Sequence, residues 1–448
     1  MHEVTGELRE AVFEYARTRL SYAPPPLDSP KPLEELNQLA GQTITEKGLG
    51  GSAALELFGE VLAPSTISTD HPGYLSFIPS APTEASKLFD LIVSASAIYG
   101  GSWMEGAGAV FAENQVIEWL VRETGLPSTA GGVFVQGGTI GNLSALVAAR
   151  FAAEKKLGRK PERWAFVCSS EAHSSLKTAA RVMDVDIIAA QANEDGRLGG
   201  EAVATAIATA GNREVFAIVA TGGTTNFGIV DRIDEIASVA KAKHIWLHVD
   251  GAYGLAAILA SSTRDLFAGI ENADSFIVDP HKWLFAPFDA CALVYRNPEL
   301  AREAHTQHGE YLDTLTESGE WNPSDYAINL TRRPRGLPLW FSLATHGVAA
   351  YRSAVETNCQ LARDAAELIR NRTDLELVRE PMLSVVVFKK HGWTQREYDA
   401  WSDKLLADQV AFVVPSSHRG EPNLRFAIVN PMTTIETIAE ILDRIEKD

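Results

Sequence analysis

The chain has 448 residues, 46% hydrophobic and 22% charged, enough apolar material for a large core divided among two or three domains. Lys+Arg 40 against Asp+Glu 58 leaves a formal charge of −18, which argues against nucleic acid or an anionic membrane surface as the main partner. The opening MHEVTGELREAVFEYARTRL is charged throughout, and no later run approaches the roughly 20 apolar residues of a spanning helix, so the chain reads as soluble, unexported and cytoplasmic. Cys168, Cys291 and Cys359 lie far apart in no CxxC pattern and read as buried reduced thiols, not metal ligands.

Residues 1–85 hold two amphipathic helical stretches, Glu7–Leu20 and one from Leu33 onward, followed by Gly48-Leu49-Gly50-Gly51 and the turn-rich His71-Pro72-Gly73-Tyr74. With little core of its own, this segment is expected to wrap a partner subunit or the main domain. From 86 to 340, short apolar β-branched runs alternate with helical stretches: GGVFVQGG before a helix at Asn142–Lys155, WAFVCSS before Ser174–Val182, then VFAIVAT, IWLHVD and SFIVDP. This predicts an α/β domain with a mostly parallel sheet covered on both faces, whose ligands gather at the carboxyl ends of the strands. A long helix from near Leu337 toward Arg370, the strand SVVVFKK, a helix at Gln395–Gln409, the strand LRFAIVN and a last helix from Thr434 predict a small α/β domain over 341–448.

Residues just after the strand runs carry the chemistry. Asp279-Pro280-His281-Lys282-Trp283 ends the run SFIV. A lysine at a buried strand end has its ammonium partly desolvated, which lowers its pKa and frees the amine to attack a carbonyl; read alone, Lys282 also fits a surface lysine. One βα unit upstream, His248-Val249-Asp250-Gly251-Ala252-Tyr253 sets a carboxylate at another strand end. Buried there, Asp250 needs a cationic partner, such as a protonated pyridine nitrogen kept positive as an electron sink; it also fits a helix N-cap. Ala252 is small enough for a flat ring to lie over the strand. Gln136-Gly137-Gly138-Thr139-Ile140-Gly141-Asn142 opens a helix with backbone amides and the Thr139 hydroxyl placed for a phosphate, and it matches neither the P-loop nor the dinucleotide fingerprint. His173 offers an imidazole able to stack on a flat cofactor, or a structural loop residue, and Thr221-Gly222-Gly223-Thr224-Thr225 adds a Gly/Thr turn.

The succession GGT, AHSS, TGGTT, HVDGAYG and DPHKWL resembles the group II pyridoxal-5'-phosphate-dependent decarboxylases, the family of the aromatic amino acid, histidine and glutamate decarboxylases. HPGYLSF, the Trp-Leu helix at Glu118–Leu120, LTRRPRGLPLW and LRFAIVNP extend the likeness over nearly the whole chain. The resemblance implies fold type I architecture: an N-terminal helical segment (1–85) wrapped on a second subunit, a large cofactor domain (86–340) around a mostly parallel, seven-stranded sheet, and a small C-terminal α/β domain (341–448). It implies that Lys282 carries the cofactor as a Schiff base, that Asp250 pairs with the pyridine nitrogen, and that Ala252 packs on the ring with His173 on the opposite face. Gly138, Thr139 and His281 would surround the phosphate and Thr224 would lie beside the ring. It further implies a homodimer with its active site at the subunit interface.

The implied reaction is decarboxylation of an L-amino acid to its amine, in which the bond held perpendicular to the ring breaks. Arg425 is similar in position to a family arginine near the substrate carboxylate, and also reads as a surface strand arginine. The loop tyrosine that helps to protonate Cα in the family corresponds to the stretch Gly309–Asn329; counting back from Arg332-Arg333, its position falls near Pro323, and of Tyr311 and Tyr326 the latter is the choice. Loss of that donor is associated in related enzymes with aldehyde-forming deamination. Phe77, Ser80 and Trp103 resemble substrate-pocket positions of aromatic decarboxylases, Gly100 and Gly101 leave room, and Glu105 can reach the pocket; an aromatic or other bulky side chain is favoured. Competing readings are other fold type I chemistry (aldehyde-forming decarboxylation, carbon–carbon lyase, aminotransferase) and a catalytically silent homologue, which has no physical need for Lys282, Asp250, His173 and Thr139 together.

Overall fold

The computed structural model describes residues 2–307, 320–418 and 420–447. In chain order the elements are α1 Gly6–Ser21, α2 Leu33–Ala40, α3 Gly51–Leu57, α4 Glu84–Ala95, α5 Trp103–Thr124, β1 Gly131–Val135, α6 Gly138–Leu157, β2 Arg163–Ser169, α7 Ser174–Met183, β3 Asp186–Ala190, α8 Gly200–Ala208, β4 Arg213–Thr221, α9 Ile233–Lys243, β5 Trp246–Asp250, β6 Ser275–Val278, α10 Pro280–Trp283, β7 Cys291–Tyr295 and α11 Pro298–His305. A helix over Leu337–Arg370, the strands β8 Leu375–Arg379 and β9 Val385–Lys390, a helix over Gln395–Ala407, the strands β10 Ser416–His418 and β11 Glu421–Ala427, and a helix over Ile435–Lys447 complete the chain.

Two compact units divide it: Met1–Pro79 with Asp364–Arg379 and Val387–Asp448, and Ser80–Arg363 with Glu380–Val386. The sequence divides differently, with 1–85 and 341–448 set apart. In the structure the amino-terminal segment joins the carboxyl-terminal strands through backbone bonds: Leu75 N donates to the Phe412 carbonyl (3.0 Å) and Ala427 N to the Leu75 carbonyl (2.8 Å). The first unit carries the four-stranded sheet β10-β11-β9-β8, in which β10 pairs with β11 and β8 with β9 antiparallel. Phe388 and Phe426 pack 4.7 Å apart in its core.

The second unit is built on a seven-stranded sheet of order β1-β7-β6-β5-β4-β2-β3. Pairs among β2, β3, β4, β5 and β6 are parallel, while β7 runs antiparallel to both β6 and β1. Strands covered on both faces are apolar throughout; every residue of β1, β5, β6 and β7 is buried. Helix α6 meets the sheet through small residues, Ser144, Ala145, Ala148 and Ala149, all buried, and this close seat brings its first turn to the strand ends. All described helices are too short or too polar to cross a membrane, and all three cysteines are free and buried.

An internal ion pair fastens α5 to the segment before the Leu337–Arg370 helix. The Arg332 guanidinium donates to both Glu113 carboxylate oxygens (2.9 and 2.8 Å) and to the Gly100 carbonyl, while Gly336 N donates to Glu113 Oε1 (2.7 Å). Removing one partner of a buried pair strands the other charge, at a cost of about 3–5 kcal/mol. Glu113→Ala is therefore expected to lower unfolding stability by about that amount in chemical denaturation, and a loss below about 1 kcal/mol, the value of a surface pair, would contradict this reading.

Candidate active site

The carboxyl ends of β1, β2, β4, β5 and β6 open onto a cavity of about 300 Å³, lined by Gly138, Thr139, His173, Asp250, Ala252, His281 and Lys282 among others. Seven of the residues singled out from sequence thus meet in one place.

On the β1 side, α6 starts without a side-chain cap at Gly137, whose φ of +150° favours glycine. A Cβ at Gly138 would stand 3.1 Å from both the Ala252 Cβ and Asp279 Oδ2, so a side chain there would press these neighbours apart by a few tenths of an ångström. Amides at a helix start and the positive dipole end make this turn an anion site, and Thr139 stands exposed on it.

Lys282 lies in the short helix α10, whose N-cap is Asp279. Trp283 anchors this turn: its ring is fully buried, stacked on Tyr253 at 5.4 Å, with Nε1 donating to Asn358 Oδ1 (2.9 Å). Lys282 Nζ sits 3.0 Å from Asp279 Oδ2, an oxygen that also accepts from Gly138 N (3.2 Å). The expectation that desolvation lowers the Lys282 pKa is corrected here. Burial does oppose its charge, but the carboxylates of Asp279 and Asp250 outweigh it and hold the ammonium above the usual lysine value. The i, i+3 spacing of Asp279 and Lys282 was the signal available in the sequence for this partner.

Asp250, 6% exposed, accepts from Ala252 N at Oδ1 (3.2 Å) and from Asn142 Nδ2 at Oδ2 (2.9 Å). It thus caps its own turn and is also gripped by α6. Asn142 went unremarked in the sequence as a partner, since nothing there links a helix residue to a carboxylate 108 positions away. His173 caps α7 with Nδ1, and His281 Nδ1 lies 2.7 Å from the Ala290 carbonyl.

Other expectations fare differently. Thr224 is buried, its Oγ1 accepting from Ile229 N (3.1 Å); that hydroxyl holds a turn, and it is Thr221 and Thr225 that line the cavity. Tyr326 does not reach it either. Its ring is buried in the apolar core and stacked on Trp321 at 3.9 Å, an aromatic contact that outweighs exposing the hydroxyl; Tyr311 lies outside the described residues. Ser80 is buried with its hydroxyl donating to the Ala286 carbonyl (2.9 Å). Trp103 begins α5, its amide donating to Asn322 Oδ1 (2.9 Å), and is absent from the cavity lining. Phe77 and Arg425 belong to the first unit: Phe77 is exposed beside Phe412, and Arg425 is buried with Nε and Nη2 donating to the Ser76 carbonyl (3.1 and 2.6 Å).

A sequence profile of the pyridoxal-dependent decarboxylase conserved domain matches residues 35–391. The chain belongs to the pyridoxal-dependent decarboxylases. It is 31% identical over 424 residues to the aromatic-L-amino-acid decarboxylase of Bacillus atrophaeus, covering 90% of this chain and 87% of that one. With the L-2,4-diaminobutyrate decarboxylase of Acinetobacter baumannii it shares 25% identity, covering 92% and 87%. The crystal structure of Oryza sativa TDC with PLP and tryptamine superposes with a TM-score of 0.91 at 24% identity, over 100% of this chain and 98% of that one, which fixes the fold as type I. This decarboxylase uses pyridoxal phosphate to decarboxylate an amino acid. Its cavity suits that cofactor: an amine, a buried carboxylate and a helix-start anion site surround it, and Gln136 Oε1 is buried there without a protein partner among the described residues, an atom that a polar ligand relieves.

Two histidines behind the site give the decarboxylase a pH dependence. Burial pushes His248 and His305 down to about 4 from an ordinary 6.5. Between those values the unfolded chain binds protons that the native state refuses, so stability present above pH 6.5 is lost as pH falls toward 4. Urea unfolding midpoints are expected to drop from pH 7.5 to pH 5, with His305→Asn flattening the slope; a midpoint that rises on acidification would contradict neutral burial.

Proposed function

We propose that this enzyme decarboxylates an aromatic or other bulky L-amino acid to its amine, acting in the cytoplasm as a homodimer. The observation that carries the reading of the site is the meeting of Lys282, Asp250, His173 and the start of α6 around one cavity. Lys282 holds the cofactor. Gly138 and Thr139 at the positive end of α6, with His281, hold its phosphate. Asp250 would pair with the pyridine nitrogen, and Ala252 and His173 would flank the ring. Bound there, pyridoxal phosphate supplies the sink for the electron pair left on Cα when the carboxylate departs.

The chain's own residues do the rest. Two N–H donors, from Ala252 and Asn142, meet the Asp250 oxygens, and a carboxylate held there would stabilise positive charge on the cofactor ring. Asp279 beside Lys282 offers a resting place for the ammonium. Helix α6 neutralises anionic charge without a lysine.

The substrate class is supported by the 31% identity to the aromatic-L-amino-acid decarboxylase. For the homodimer, support comes from apolar side chains left uncovered: α1, α2 and α3 bury no residue, and Leu88, Leu91 and Ile92 on α4 and Phe111 on α5 are exposed. For the cytoplasm it comes from three unpaired thiols.

Incubating the cofactor-loaded protein with a panel of amino acids should release carbon dioxide and amine in equal amounts, fastest from an aromatic substrate. Aldehyde and ammonia, or preference for a small cationic amino acid, would overturn the proposal. Asp250→Asn should cost about 3 kcal/mol of transition-state stabilisation, roughly a hundredfold in kcat; a change of twofold or less would leave Asp250 as a turn cap.

A further inference from the structure

Behind the cavity lies a chain of hydrogen bonds that sequence motifs do not describe. Asn142 Nδ2 lies 2.9 Å from Asp250 Oδ2 and 3.0 Å from Ser175 Oγ, and Asn142 Oδ1 lies 2.8 Å from His248 Nε2. Ser175 Oγ lies 2.9 Å from His173 Nδ1. On the far side His248 Nδ1 meets Ser275 Oγ at 2.8 Å, and that oxygen accepts from Trp246 Nε1 (2.8 Å). Asn142, Ser175, His248, Asp250 and Ser275 are all buried.

Elementary donor rules orient every link. A carboxylate only accepts, so the Asn142 atom facing Asp250 is the amino nitrogen and its oxygen faces His248, which must donate from Nε2. His248, held neutral by burial, then accepts at Nδ1 from Ser275, whose oxygen already receives the Trp246 N–H. On the other branch the second Asn142 N–H goes to Ser175 Oγ, whose single hydrogen is left for His173 Nδ1. Independently, Ser175 N also donates to His173 Nδ1 (3.2 Å), and a backbone amide cannot accept. The His173 Nδ1 therefore carries no hydrogen.

We infer that Asn142 is a positioning residue that links two walls of the site, orienting the Asp250 carboxylate and, through Ser175, fixing His173 as the tautomer with its hydrogen on Nε2. The inference rests on the roles proposed above for Asp250 and His173. An amide does not pass protons as a hydroxyl or imidazole does, so the chain sets orientation and insulates Asp250 from His173. His173 thus presents a hydrogen-bond donor from Nε2, and its Nδ1 is engaged by Ser175.

The test uses the holoenzyme and two readouts, the absorbance of bound pyridoxal phosphate against pH and the pH profile of kcat. Asn142→Leu, close in volume and devoid of donors, should displace the spectral titration and cut kcat about tenfold or more, the usual effect of removing a partner that orients a site group. Ser175→Ala should leave the spectral titration in place, because Asp250 keeps Asn142, and change only the pH profile of kcat. Asn142→Ser, which keeps one donor, should partly restore both and serves if the leucine variant does not fold. Wild-type titrations and profiles in Asn142→Leu, or in Asn142→Ser where it alone folds, would overturn the inference, as would a Ser175→Ala spectral shift equal to that of Asn142→Leu. Asp250→Asn separates the levels: if it too leaves the spectrum unmoved, the role given to Asp250 fails; if it moves the spectrum and Asn142→Leu does not, only the inference about Asn142 fails.

Discussion

A carboxylate at the end of a central buried strand has to be met by donors or by positive charge, because left unpaired it costs several kcal/mol. Asp250 is such a group, 6% exposed at the end of β5, and the architecture around it follows from that requirement. Helix α6 must lie close enough for Asn142 to reach it, which needs the serine and alanines of its sheet face. The turn after β5 must fold back to offer the Ala252 amide. Glycine at 138 lets α6 start beside Ala252 and Asp279 without displacing either. Two donors meet Asp250, and under the proposed function its further partner would be the ring nitrogen of pyridoxal phosphate.

The second constraint is the placing of Lys282. Its helix is only four residues long and depends on Trp283, wedged on Tyr253 and tied to Asn358. Electrostatically the lysine is held by Asp279 and Asp250. Burial alone would favour a neutral amine; in the cofactor-free fold the carboxylates prevail and favour the ammonium.

Much of this was legible in the sequence, for physical reasons that can be named. Strands buried on both faces must be apolar along their whole length, so WAFVCSS, VFAIVAT, IWLHVD and SFIV stand out, and the polar residue closing each run marks the ligand end of the sheet. What could not be read were pairings across long separations. Asn142 reaches Ser175, His248 and Asp250 over 33, 106 and 108 positions, and on its own it is one polar residue near the start of a helix. The amino-terminal segment joins the last strands through Leu75 with Phe412 and Ala427, contacts that no local pattern announces. Thr224 and Thr225 are chemically alike, and only the turn's geometry turns one inward and leaves the other exposed. Tyr326 has the right chemistry for a proton donor, but Trp321 beside it offers a stacking partner that draws the ring into the core.

Lys282 is the residue proposed to hold the cofactor. Reduction of the pyridoxal-phosphate-loaded enzyme with borohydride, followed by digestion and mass spectrometry of the peptides, tests it directly. The mass of the reduced cofactor should appear on Lys282 alone, at one equivalent per chain; its appearance on any other lysine with Lys282 unmodified would contradict the account.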